Sequence, residues 1–451
     1  FVKGRAVLPL VLFLNACVPA SQPEVATRAG FLDSGLPPMK SFAASIPAVP
    51  VRSNSDLALD FLELSFQMES GRKLPVLTRF ETPISVRVTG PAPAYLGRDL
   101  DVLLNRLRSE ADIDIHRATG DTANITVEAV PQAVLQSAVP RAACFVVPRI
   151  TSWSEFLVAR NTAQVDWTTL PRRDRAVIFV PADAAPQEIR DCLHEELAQA
   201  LGPLNDLYRL PDSVFNDDNI HTVLTGFDML MLRTYYAPEL SNGMSRSDAA
   251  ARVPAILARM NPRGQNRRPS VDNDTSRSWI DAMETALTNG ASPMRRRQAA
   301  ASAIQMGTAF GWSGPRRGFA YYAHGRLQVG NDSTAALASF NAADAAYRGN
   351  PITEIHAAHI AVQKSAFTLA AGDAEGTIAM ADHAIPIARS HQNAALMSTL
   401  MMFKAAALDM RGDSAQATAL RLDSLGWARY GFGSDINVQS RLAEIAALRP
   451  F

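Results

Sequence analysis

The sequence predicts an α+β domain followed by an all-α region of helical repeats, and three observations predict it. Short β-type runs at 83–89, 124–130 and 176–180 alternate with stretches of helical spacing before residue 240. One long apolar helix, 186–201, closes that series, with Pro186 near its start and Gly202 just past its end. From Trp279 onward the chain is Ala-rich and helical, broken at Gly330-Asn331-Asp332, Gly372-Asp373 and Gly412-Asp413, roughly forty residues apart.

Bulk composition narrows the function classes. The 451 residues are enough for two or three domains, and Lys+Arg and Asp+Glu are both 44, a formal net charge of zero. That balance argues against a nucleic-acid binder or a membrane binder driven by bulk electrostatics. No apolar run is long enough to span a bilayer. Cysteines stand only at 17, 144 and 192, too few for a disulfide scaffold.

Residues 1–17 read as a signal peptide. Lys3 and Arg5 precede a short apolar run, and Leu14-Asn15-Ala16-Cys17 resembles the bacterial lipobox, in which the cysteine is lipidated. Residues 18–52 are rich in Pro, Ala and Ser without periodicity, as a disordered linker between anchor and domain is. Export places Cys144 and Cys192 in an oxidising compartment. A bridge between them would close a loop of nearly fifty residues, worth roughly 3–4 kcal/mol; two buried thiols are the alternative.

The first folded domain is expected over 53–245. Residues 56–66 carry apolar side chains at helical spacing behind a Ser55 or Asn54 cap, and 100–108 returns to that spacing. Residues 83–89 alternate as a half-buried strand ending at Gly90-Pro91, with further strands at 124–130, around Phe145 and at 176–180. A polar hinge is expected over 246–278, where Ser, Asn, Arg and Pro abound. The helical-repeat domain follows over 279–451. The hinge arginines of Pro262-Arg-Gly-Gln-Asn-Arg-Arg-Pro269, with Arg295-Arg-Arg297 and Arg316-Arg317, read as solvated surface given the even charge balance, with binding of an anionic lipid or polymer as the alternative.

The central helix, Cys192-Leu-His-Glu-Glu-Leu-Ala-Gln-Ala-Leu-Gly202, carries the functional question. Two metal ligands four residues apart share one helical face, so the pairing at i and i+4 decides the chemistry. Read from His194, the i+4 residue is Ala198, which ligates nothing. Read from Glu195, it is Gln199; Gly202 then takes the turn and Asn205 the third position. In this second register the helix resembles the zinc-binding helix of the metzincin proteases. Glu196 falls on the general-base position of that family, and Glu195, Gln199 and Asn205 fall on its three histidine positions. Leu224-Thr-Gly-Phe-Asp228 through Tyr236 resembles the family's C-terminal helix, and Ser213-Val214-Phe215-Asn216 stands where its methionine turn would lie. The resemblance implies a zincin-like mixed sheet with an active-site-type helix.

An acid and two amides match zinc's preference for imidazole and thiolate poorly. Calcium accepts oxygens but wants more of them, for which Asp206, Asp212, Asp217 and Asp218 lie nearby. No cofactor is expected, with zinc or calcium at Glu195, Gln199 and Asn205 as the alternative. His194 and His221 read as hydrogen-bonded structural residues.

A second resemblance rests on Glu195-Glu-Leu-Ala-Gln-Ala-Leu-Gly-Pro-Leu-Asn-Asp206, Phe215-Asn-Asp-Asp218 and Tyr235-Tyr-Ala-Pro-Glu-Leu240. Ser53-Asn-Ser-Asp-Leu57, Phe66-Gln-Met-Glu-Ser-Gly71 and Arg79-Phe80 extend it. Together they resemble a proteobacterial family known as domain of unknown function 2927, which implies a zincin-like lipoprotein with no established activity. Gly325 with Ala336, Phe340 and Ala343 resembles tetratricopeptide-type repeats, which implies a groove for a protein surface.

The function expected is a non-catalytic lipoprotein, lipid-anchored on the periplasmic side of a bacterial envelope, in the outer membrane. Its degenerate peptidase-like domain and helical solenoid bind a protein or cell-wall partner, with no nucleic acid. The alternative is a metal-dependent hydrolase using Glu196 as general base.

Overall fold

The computed structural model describes residues 36–43, 48–270, 275–288 and 290–450. Cys17 and the signal segment expected over 1–17 lie outside the described residues. Ser53 opens the first element. Its hydroxyl accepts the Asp56 N–H and starts α1 (Asn54–Phe66), which buries Leu57, Phe61 and Leu64.

A five-stranded mixed sheet follows, built from β1 (Ile84–Thr89), β2 (Ile115–Arg117), β3 (Ile125–Val130), β4 (Phe145–Pro148) and β5 (Ala176–Pro181). Its order is β2-β1-β3-β5-β4, and only the β4–β5 pair is antiparallel. Val127 pairs with Ile178 on one side of β5, and Val146 pairs with Ile178 on the other. All six β5 residues are buried, which is why this strand reads as an unbroken apolar run.

Between the strands lie α2 (Ala94–Ala111), α3 (Gln132–Ala138) and α4 (Trp153–Ala159). α2 turns Leu96, Leu100, Leu103, Leu104 and Leu107 into the main core, the stripe that its sequence spacing predicts. Phe145, Trp153, Phe156 and Phe179 make a separate aromatic cluster, with ring centroids 5.1–6.4 Å apart.

α5 (Pro186–Leu201) then packs against β4, β5 and α2. Cys144, just before β4, is disulfide-bonded to Cys192 on α5 across a separation of 48 residues. α6 (Gly226–Tyr235) follows, opened by a capping box between Thr225 and Asp228.

The sequence reading places a polar hinge at 246–278, but α7 (Arg246–Met260) occupies its first half. Ser245 and Asp248 form a capping box, and Ala249, Val253, Ile256 and Leu257 face inward, with α1 as the main contact. The hinge expectation weighted the polar face of this helix and missed its buried stripe. The expected linker also differs where it is described. Phe42 stacks on Trp427 at 4.6 Å, Lys40 N–H donates to the Gly426 carbonyl at 2.9 Å, and Arg190 lies over Phe42. Proline and alanine composition reports flexibility of the isolated chain, and a folded partner surface overrides it.

A Cβ on Gly226 would stand 1.8 Å from the Ala48 carbonyl oxygen, so the chain around residue 48 closes over α6 only because that position is bare. Gly226→Ala is therefore expected to lift this strap. The check is limited proteolysis, where cleavage around residues 48–52 should speed up several-fold with little change in cutting elsewhere.

The rest is helical: α8 (Arg277–Leu287), α9 (Pro293–Ala309), α10 (Pro315–Gln328), α11 (Ser333–Tyr347), α12 (Glu354–Ala370), α13 (Ala374–Ser390), α14 (Ala394–Arg411), α15 (Ser414–Phe432) and α16 (Asp435–Ala446). Neighbours in sequence are neighbours in space, most closely α14 with α15, α10 with α11 and α13 with α14. The three glycine breaks read from the sequence fall between α10 and α11, between α12 and α13, and between α14 and α15. Gly330, Gly372 and Gly412 take φ of 81°, 79° and 93°, the left-handed values an L side chain resists. Residues from Leu36 onward form one compact unit. No helix among the described residues is long and apolar enough to cross a membrane.

Candidate functional site

α5 and the loop after it hold the residues that the sequence singled out for metal or hydrolytic chemistry. Leu193, Leu197, Ala198 and Leu201 bury one face of α5 in the core, and His194 and Glu196 are buried with them. The helix ends at Gly202, where an added Cβ would lie 2.9 Å from the Tyr235 ring. The glycine is needed for that close approach, since its extended backbone strains no residue. Tyr236 adds a hydroxyl to the Leu201 carbonyl at 3.0 Å.

One cation closes the end of this helix. Arg173, 3 % exposed, donates to the carbonyls of Gln199, Ala200 (2.7 Å) and Gly202, and its Nε to the Thr78 hydroxyl at 3.2 Å. Its guanidinium stacks over Trp167, 4.8 Å from the ring centre. Burial pulls its pKa down from the ordinary arginine value. Nothing in the sequence distinguishes Arg173 from Arg172, whose side chain is exposed and paired with Asp174.

The loop after Gly202 is spent on structure. The Asn205 amide donates to the Glu63 carbonyl at 3.1 Å. Phe215, at the position of the methionine turn, is fully buried in the main core. Asp228 gathers that turn onto α6, accepting from Ser213 Oγ (2.5 Å), Val214 N (3.2 Å) and Thr225 N (2.7 Å). His194 Nδ1 accepts the Leu224 N–H at 3.1 Å, and burial beside Arg106 and Arg190 holds its pKa well below the ordinary value. His194 is thus a neutral structural residue.

What the turn does assemble is acid. Burial, then repulsion from Asp217 and Glu69, raises Glu195 to about 7. Burial, then Glu195 and Glu69, holds Glu196 well above the carboxylate range, and Asp206 is raised likewise. Asp217 is pushed to about 7 by burial and then by Glu69. Glu196 Oε2 and Asp206 Oδ1 are buried without a hydrogen-bond partner. Glu69, Asn205, Asp206, Tyr208, Asp217 and Glu284 line a cavity of about 580 Å3 between this turn and α8.

Each of these carboxyls binds its proton more tightly in the fold than in the unfolded chain. Their charged forms therefore oppose folding at high pH, and stability rises as pH falls from about 8 through 7 toward the unfolded carboxylate range. Glu196→Gln, an uncharged replacement of similar shape, is expected to stabilise the fold at pH 8 and so raise its urea midpoint. The gain should shrink toward pH 5. Urea denaturation at the two pH values checks it.

The helical region roofs this turn. Tyr208 packs edge-on against Trp279 at 5.0 Å and lies 6.0 Å from Phe319. The α5 side is held by Gln187 to Asn393 (3.1 Å) and Arg190 to the Gln392 carbonyl (2.8 Å), and Asp99 of α2 accepts from Tyr430 (2.8 Å).

Zinc does not fit the positions that the metzincin resemblance assigns to it. Glu195 is a carboxyl on the edge of protonation, Asn205 has its amide engaged, and neither they nor Gln199 supply imidazole or thiolate. Among the described residues, no group of three or more His, Cys, Asp or Glu side chains is arranged to hold a metal ion. Asp212 pairs with Arg52 (3.1 Å) and Asp218 with His356 (2.9 Å), which removes both from the acidic cavity.

No curated protein and no solved structure matches the chain. Residues 54–255, from the start of α1 into α7, match the family model described as Protein of unknown function (DUF2927), so that segment is a domain of unknown function.

Proposed function

We propose that residues 54–255 are a zincin-type domain that has left hydrolysis, and that the chain works as a binding lipoprotein of the bacterial envelope. One observation carries the reading: Glu196, at the general-base position, is 5 % exposed with a carboxyl held toward its protonated form. A general base must be ionised and within reach of water. The mixed sheet behind α5, the Gly202 turn and the Asp228 tie to α6 support the zincin assignment. The Cys144–Cys192 bridge supports an oxidising compartment, and the lipobox-like Leu14–Cys17 supports lipidation at Cys17 on the periplasmic side, in the outer membrane.

A groove of about 720 Å3 between α11, α12 and α13 supports a protein or cell-wall partner. Its lining combines apolar Ala357, Ala361 and Met380 with the cations Lys364 and Arg348. Ala379→Trp, at an exposed position lining the groove, is expected to lower recovery of crosslinked partners at least tenfold while leaving the melting temperature unchanged. Unchanged recovery would remove the groove from the proposal.

The rival reading is a metal-dependent hydrolase with Glu196 as base and Glu195, Gln199 and Asn205 as oxygen ligands. It draws on the unpartnered oxygens of Glu196 and Asp206 beside a cavity. Elemental analysis of the purified protein separates the two: stoichiometric metal, lost together with peptidase activity in Glu195→Ala, would establish the rival.

A further inference from the structure

Four of the eight histidines of this chain meet where the loop before α6 touches the helical repeats. His221 comes from that loop, His356 and His359 share one face of α12 as an i, i+3 pair, and His391 follows α13. The His221 ring is 5.4 Å from that of His391 and 6.0 Å from that of His356. Tyr347 of α11 lies 5.0 Å from His356, and Tyr322 of α10 lies 6.4 Å from His359.

The counter-charge is sparse. Asp218 accepts from His356 Nε2 at 2.9 Å, and Asp212 is engaged by Arg52. Glu354 stands at the rim of the adjoining cavity of about 310 Å3, which His221 and His391 also line. Arg326 on α10 faces His359, and Arg190 on α5 reaches the Gln392 carbonyl, so two more cations approach the same joint. His221 Nε2 donates to the Pro211 carbonyl at 2.8 Å. His356 Nδ1 and His359 Nε2 are buried without a hydrogen-bond partner. The one hydrogen-bonded carboxylate is held by His356, so a proton added to His221, His359 or His391 meets other imidazoles before it meets an anion.

We propose that this cluster is an acid-sensitive latch: below about pH 6 it releases the loop at 218–224 from α12 and α13, while the sheet of the domain stays folded. Burial, then the neighbouring imidazoles, hold His359 at about 4 and His391 at about 3, and burial, then His356, lowers His221. The closed joint keeps these rings neutral. Its contribution is therefore complete above the unfolded histidine value and is lost as pH falls from about 6.5 toward 4. Two rings with such values make opening about a hundredfold more favourable per pH unit within that window. The acidic turn under α5 responds with the opposite sign, since acid relieves its repulsion. That opposition confines the response to the joint.

Hydrogen exchange of the full chain at pH 7.5 and 5.5, corrected for intrinsic rates, tests the latch. Protection at 218–224, 355–360 and 390–393 is expected to fall about a hundredfold or more between the two. Protection in β3 and β5 should hold. His359→Gln with His391→Gln should shrink the change at the joint to below tenfold. If that pair fails to fold, His391→Gln alone, at a partly exposed position, should still cut the change several-fold. Loss of protection in strands and joint together, no loss at either, or an unaltered profile in the variants would overturn the proposal.

Discussion

Arg173→Met is expected to cost about 3–5 kcal/mol of stability, because it takes the donor from three carbonyls at the end of α5, two of them in buried bonds. Methionine keeps most of the volume and the contact with Trp167, so the loss reports hydrogen bonding and charge at the helix terminus. The C-terminal carbonyls of a helix have no intrahelical partner, and the bonds from Arg173 to Ala200 and Gly202 are buried. For a domain of this size the loss corresponds to a fall of about 10 °C in Tm. Arg173→Lys should recover only part of it, since an ammonium on a flexible stem does not reproduce the fork that spans Gln199 to Gly202. An unchanged Tm in Arg173→Met would mean that these carbonyls find other donors, and that the turn owes its rigidity to contacts other than the guanidinium.

The same residue marks the line between what was legible in the sequence and what was not. Local rules located α5, because Pro186 and Gly202 bracket it and its apolar spacing is helical. They located the breaks at Gly330, Gly372 and Gly412, because a left-handed turn needs glycine whatever surrounds it. The pairing of Cys144 with Cys192 was also within reach, since few cysteines leave few choices. α7 was lost to a count of polar residues, although Ser245 and Asp248 already spelled its cap. Arg173 and the histidine cluster were out of reach for a different reason. Each depends on which distant segments come together, such as His221 with His356, and no local pattern encodes that. The acidic character of the turn was visible in Glu195, Glu196, Asp206 and Asp217. Its consequence, carboxyls driven toward protonation, follows from burial under α8 and Tyr208, which only the assembled fold supplies.

Cys144→Ser with Cys192→Ser is expected to lower stability by about 4 kcal/mol, the loop-closure value for a separation of 48 residues. The loss acts first on the unfolded chain, which gains freedom when the tie between β4 and α5 is cut. The slope of urea unfolding should accordingly steepen as the midpoint falls. A folded-state contribution adds to this. β4 is an edge strand paired only through β5, and Cys192 anchors the residue before it to a helix buried in the main core. Without the tie, the aromatic cluster of Phe145, Trp153 and Phe156 should lose protection before β3 and β5 do. Cys192→Ser alone should cost as much as the double variant, because the bridge is removed once in either case. Reducing the parent protein should bring it to the same midpoint. Equal stability of parent and double variant would mean that the bridge reports the redox state of the compartment and contributes nothing to the hold of α5 on the sheet.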